Sequence, residues 1–88
     1  MMNEVQIAEV FGCYLRGEWP NEAEIATAPR ISNWLVVVSR SKPYEMHLSG
    51  ECVGHPDIPD GTISTSPLIW IDKMRRLAQT SSRLYVLA

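Results

Sequence analysis

The sequence predicts an α+β domain in which an N-terminal helix packs on a four-stranded, mostly antiparallel sheet, or on a small open barrel if that sheet curls strongly. Three observations predict it. Apolar residues recur at helical spacing before Gly17, β-branched and aromatic residues dominate from Ile31 onward, and Gly and Pro divide that later region into strand-length runs. A chain of 88 residues is the size of one domain with one modest core, spanning 1–88.

The helix begins at Asn3, a good N-cap, with Glu4 near the positive end of the dipole. Ile7, Ala8, Phe11, Tyr14 and Leu15 form its apolar stripe, and Gly17 is its natural stop. Trp19-Pro20 interrupts the chain. Residues 21–28 have the acids of a second short helix at their start, closed by Pro29, with a loop as the alternative. The run Trp34 to Val38 reads as a strand covered on both faces. After a polar turn at residues 40–43, Tyr44, Met46 and Leu48 alternate with Glu45, His47 and Ser49, so an antiparallel hairpin is expected. Gly50 marks a kink or bulge before Cys52 and Val53.

The segment from Gly54 to Gly61 is the clearest loop, because Pro56 and Pro59 forbid regular structure and Asp60-Gly61 favours a tight turn. Thr62 to Asp72 reads as a third strand, with Ile69 and Ile71 on one face and Leu68 and Trp70 on the other. Pro67 assigns at least one end of it to an edge. Residues 73–80 read as a basic connection with one helical turn, and Ser82 to Leu87 as a fourth, closing strand.

Composition narrows the function classes. The chain is 45% apolar and 20% charged, which suits a folded globular protein and not a disordered one. No run approaches the roughly 18 apolar residues of a membrane span. The opening Met-Met-Asn-Glu lacks the basic and apolar regions of a signal peptide, so the expected location is cytoplasmic, with Cys13 and Cys52 as free thiols. The net charge of −2 is unevenly spread. Residues 1–24 hold Glu4, Glu9, Glu18, Glu22 and Glu24 against Arg16 alone, whereas residues 73–88 hold Lys73, Arg75, Arg76 and Arg83 without an acid.

From Gly54 onward a pattern emerges: His55-Pro56-x-Ile58-x-Asp60-Gly61, then Thr65-Ser66-x-Leu68, Ile71-Asp72, and Ala78-x-Thr80-x-Ser82-Arg83-x-Tyr85-x-Leu87. It resembles a family of short, uncharacterised proteins from proteobacteria and their mobile elements. The resemblance implies a bacterial or phage origin and a cytoplasmic setting, and no chemistry. A protein of that origin which modulates a host or defence complex is the biological role it suggests.

No catalytic constellation is legible. Cys52-x-x-His55 is half a metal site, and His47 and Asp57 add no paired ligand spacing, so no metal and no cofactor are expected. Neither cysteine opens a predicted helix, where a thiol would be activated. There is no Gly-x-Ser-x-Gly elbow and no Gly-x-Gly phosphate loop. The expectation is therefore a non-enzymatic protein-interaction or regulatory module, with a protein partner or a second copy as a homodimer. Trp19 is its exposed anchor, and Arg75, Arg76 and Arg83 supply the charge. The alternative is weak nucleic-acid binding by the basic 73–83 region with Trp70 and Tyr85 as stacking platforms, against which the low pI of about 5.6 counts.

Overall fold

The computed structural model of the protein describes residues 2–40 and 45–88. The expected turn at Ser41–Pro43 and the strand position of Tyr44 lie outside them. Helix α1 spans Glu4–Leu15 and α2 spans Glu22–Thr27. Six strands follow: β1 Arg30–Val38, β2 Met46–Val53, β3 Gly61–Ser64, β4 Leu68–Asp72, β5 Leu77–Thr80 and β6 Leu84–Leu87. They form one mixed sheet in the order β3-β2-β1-β6-β5-β4, with β1 and β6 parallel and every other pair antiparallel.

The four-stranded sheet with a helix packed on it is thus corrected in three ways. The single strand expected over residues 62–72 is two strands, because Pro67 cannot donate to a ladder and Thr65 turns the corner. Thr65 binds Leu48 through its backbone N–H (2.8 Å) and accepts the Leu48 N–H on its hydroxyl (3.0 Å). Residues 77–80, expected to be a basic connection, are β5, in which every residue is buried. Helix α1 buries none of its residues fully, and Val5, Phe11 and Leu15 stand exposed.

The sheet curls. β2 and β4 have three strands between them in the order yet touch. The concave side encloses Ile31, Leu48, Cys52, Ala78, Tyr85 and Leu87, with Trp34, Ile63, Leu68 and Ile71 packed around them. On the other side Trp70, Leu77 and Leu84 meet Tyr14 of α1 and Ile25 of α2. Each of the short strands β5 and β6 therefore supplies side chains to two apolar clusters, which explains a burial that alternation alone does not signal.

Two bulges shift the expected faces. In β1 the register slips between Ser32 and Leu35, where Asn33 adopts φ 49°, a conformation Asn tolerates better than most residues. The slip puts Ile31 and Trp34 on the same side. In β4 a slip between Leu68 and Trp70 turns Ile69 and Trp70 to the helix side and leaves Leu68 and Ile71 on the concave side. The irregularity expected at Gly50 belongs to the facing strand, and Gly50 is the residue that makes room for it.

Both helices are capped, α1 at Asn3 as expected and α2 at Asn21. Asn3 and Gln6 form a reciprocal capping box, and Asn21 accepts from the Glu24 N–H. At Gly12 an added Cβ would meet only the far end of Arg16, at 3.2 Å. Alanine there removes the entropic cost of a mid-helix glycine, so Gly12→Ala is expected to stabilise the fold by about 0.5–1 kcal/mol. Chemical denaturation should show a higher midpoint with an unchanged slope.

Candidate partner-binding surface

β1 is nine residues long and its neighbour β6 only four. β6 pairs with Arg30 and Ile31 and no further. Beyond that point, no strand among the described residues covers the β6-side edge of β1. On its other side β1 continues along β2 to the pair Val38–Met46. The Ser39 N–H donates to the Glu45 carbonyl at 3.0 Å. By the alternation of an antiparallel ladder, Leu35 and Val37 turn their backbone groups toward β2, and Val36 and Val38 turn theirs toward the open edge.

The same stretch is apolar on both faces and uncovered. Leu35, Val36, Val37 and Val38 are 58%, 38%, 41% and 53% exposed, and Met46 across the ladder is 47% exposed. The expectation that the Trp34–Val38 run is covered on both faces is therefore corrected. A nine-residue strand outruns its four-residue neighbour β6, and only its first part is enclosed.

Beside the end of β6, a cleft of about 310 Å³ lies between Trp34, Lys73, Arg76, Leu87 and Ala88. Lys73 holds its ammonium 5.9 Å from the centre of the Trp34 ring, within cation–π range. Arg76 sits at φ 56° in the β4–β5 turn, and its carbonyl accepts the Leu87 N–H at 2.9 Å. The cleft thus lies in line with the open edge of β1 and carries two cations.

The other expected site residues are dispersed. Trp19 is not an exposed anchor. It is half-buried in the helix-side core and donates its indole N–H to Gln79 Oε1 at 3.1 Å. Its peptide bond to Pro20 is cis. Arg75 is exposed beside Asp72, and its backbone N–H donates to the Asp72 carboxylate at 3.1 Å. That bond, then the Tyr14 hydroxyl at 2.8 Å, holds the Asp72 carboxyl below the usual carboxylate range. Arg83 lies at the opposite end of the β5–β6 hairpin from Arg76, about 13 Å away along a four-residue strand. It is ion-paired there with Asp57 at 2.9 Å. The basic 73–83 region is therefore two separate groups of charge and not one patch.

The candidate stacking platforms are likewise unavailable, since Trp70 and Tyr85 are both buried. Burial also pushes the Cys52 thiol up, away from the reactive thiolate. Cys13 and Cys52 are both free. His47 lies with Nδ1 2.8 Å from the Thr65 carbonyl, a structural bond that ties β2 to the corner before β4. Among the described residues, no three of His, Cys, Asp and Glu come together as ligands of one metal ion. No helix among them is long and apolar enough to cross a membrane.

A family model described as a family of unknown function (DUF6634) matches residues 11–88, which include all six strands. The chain belongs to this family. No curated protein and no solved structure matches it. The DUF6634 match begins within α1, so the sheet, the open edge of β1 and the Trp34 cleft all fall inside it.

Proposed function

We propose that this DUF6634 protein is a protein-binding, regulatory module whose partner adds an extended segment to the open edge of β1. The observation that carries this reading is the exposed run Leu35–Val38, apolar on both faces and bordering an edge that no strand among the described residues pairs. Soluble proteins usually blunt such an edge with charge, proline or a bulge. Here the bulge at Asn33 lies before the run, and the run itself carries neither charge nor proline. An added strand gains main-chain hydrogen bonds from Val36 and Val38 and side-chain contacts on both faces.

The cleft at the foot of the edge defines the partner further. Lys73 and Arg76 beside Trp34 suit a carboxylate at one end of the incoming segment. A second copy's β1 brings no acid, since Arg30–Val38 contains none, so the reading favours a different protein over a homodimer. Nucleic acid is less well matched, because Arg83 is remote and paired, and Trp70 and Tyr85 are buried.

Val36→Pro removes one outward N–H while leaving the bonds of Val37 to β2 intact, and proline is tolerated at a sheet edge. In a nuclease-treated pull-down, Val36→Pro is expected to lose the captured protein at least tenfold, and Val36→Thr to retain it. Equal capture by Val36→Pro contradicts the strand-addition reading. Capture that depends on nucleic acid transfers the function to Lys73 and Arg76.

A further inference from the structure

A second cleft, of about 280 Å³, lies at the other end of the β5–β6 hairpin, between the loop after β2, the end of β3 and the 80–83 turn. Its wall sets the Arg83 guanidinium and the Asp57 carboxylate among His55 and the hydroxyls of Ser64, Ser82 and Tyr85, each of which can donate. His55 Nδ1 accepts the Asp57 backbone N–H at 3.0 Å. The ring proton therefore sits on Nε2, which becomes a donor. Of the five guanidinium N–H groups of Arg83, Nη2 is engaged by Asp57 at 2.9 Å. The hydroxyls of Ser64, Ser82 and Tyr85 have no hydrogen-bond partner among the described residues. Ser66 differs, since its hydroxyl already donates to Thr80 at 3.0 Å.

The turn that carries Arg83 is firmly built. Thr80 Oγ1 accepts from the backbone N–H groups of Ser82 and Arg83, at 3.2 and 3.1 Å, and donates to the Arg83 carbonyl at 3.0 Å. Tyr85 is buried to 4% exposure, with the His55 ring 6.3 Å away. The backbone that carries Ser82 and Arg83 is therefore a fixed frame and needs little ordering when a ligand arrives.

We propose that this cleft binds the phosphate group of a small organic phosphate monoester. Surplus donors around one guanidinium call for a ligand rich in acceptors, and Arg engages phosphate through two parallel bonds. The cleft exceeds a bare oxyanion in volume, and Ile58 and Ile63 add an apolar wall for the organic part. Asp57 holds the place of the anion. Its side chain is 72% exposed, and an ion pair in that setting contributes little, so a phosphate displaces it readily.

The test is a titration of the full chain with phenyl phosphate, inorganic phosphate and acetate, followed by amide chemical shifts at fixed ionic strength. Saturable shifts at Ser82, Arg83 and His55 are expected, strongest for phenyl phosphate and weakest for acetate. Arg83→Gln is expected to weaken binding at least tenfold. Asp57→Asn removes the competing carboxylate at a surface position and is expected to tighten binding severalfold. Shifts that never saturate, that persist in Arg83→Gln, or that are unchanged or weaker in Asp57→Asn overturn the proposal. Preference for inorganic phosphate over the ester overturns the assignment to a monoester.

Discussion

Gly50→Ala is expected to lower the melting temperature by roughly 10–20 °C, which corresponds to a loss of about 3 kcal/mol in a domain of this size. A Cβ at Gly50 would lie 2.7 Å from the Ser32 carbonyl oxygen and 3.0 Å from both Trp34 Cα and Ile31 Cγ1. Two of these atoms are backbone, held by the β1 bulge, and cannot swing aside as a side chain does. The bulge in turn sets the faces of Ile31 and Trp34, and Ile31 is fully buried in the concave core. Alanine at Gly50 therefore forces a shift of β1 against β2 along their ladder. The Gly12→Ala variant, with the same chemical change and only a flexible side chain nearby, should move stability in the opposite direction. Thermal unfolding of the two variants side by side checks the argument. A Gly50→Ala protein as stable as the parent would show that the bulge yields freely.

Gln79→Leu is expected to cost about 1–3 kcal/mol through a donor left without its acceptor. Gln79 is 1% exposed, accepts from the Trp19 indole N–H at 3.1 Å and donates to the Thr80 carbonyl at 2.9 Å. Leucine matches its size but removes both bonds and leaves the Trp19 indole N–H without its acceptor. If the Trp19–Gln79 bond is the source of the loss, Trp19→Phe removes the stranded donor, and Gln79→Leu then costs markedly less in that background. Urea denaturation of the parent, both single variants and the double variant closes the cycle. Strict additivity would mean that the two residues contribute separately, by packing alone.

Local chemistry made part of the fold legible. Asn3 caps α1 because it supplies an oxygen to a free backbone N–H, a signal carried within a few residues. The alternation of Met46, His47 and Leu48 pointed to β2, and its pairing with β1 follows from proximity in the chain. The remaining strands depend on contacts distant in sequence. β5 reads Leu-Ala-Gln-Thr, without alternation, because both of its faces are enclosed and its two polar residues find partners in Trp19 and Ser66. Nothing within the 73–80 segment announces those partners.

The candidate site was hidden for a related reason. A run of Leu and Val has the same composition whether neighbouring strands cover it or stop short, so Leu35–Val38 read as core. The extent of the β1–β6 pairing, which stops at Ile31, decides the matter, and composition does not encode it. Trp19 misled in the opposite direction. Its place before Pro20 suggested exposure, whereas Gln79, sixty residues later, draws its indole into the helix-side core. Lys73 and Arg76 were legible as cations, but their alignment with the β1 edge depends on the β4–β5 turn.

The most direct test of strand addition is amide hydrogen exchange at single-residue resolution, measured with and without the partner captured by the parent protein. Without partner, the Val36 and Val38 amides face the open edge and should exchange faster than those of Leu35 and Val37, which are bonded to β2. With partner bound, Val36 and Val38 are expected to slow at least tenfold while Leu35 and Val37 change little. If Val36 and Val38 keep their fast exchange and protection appears instead elsewhere, such as along α1, the partner binds another surface and the open edge of β1 is not its site.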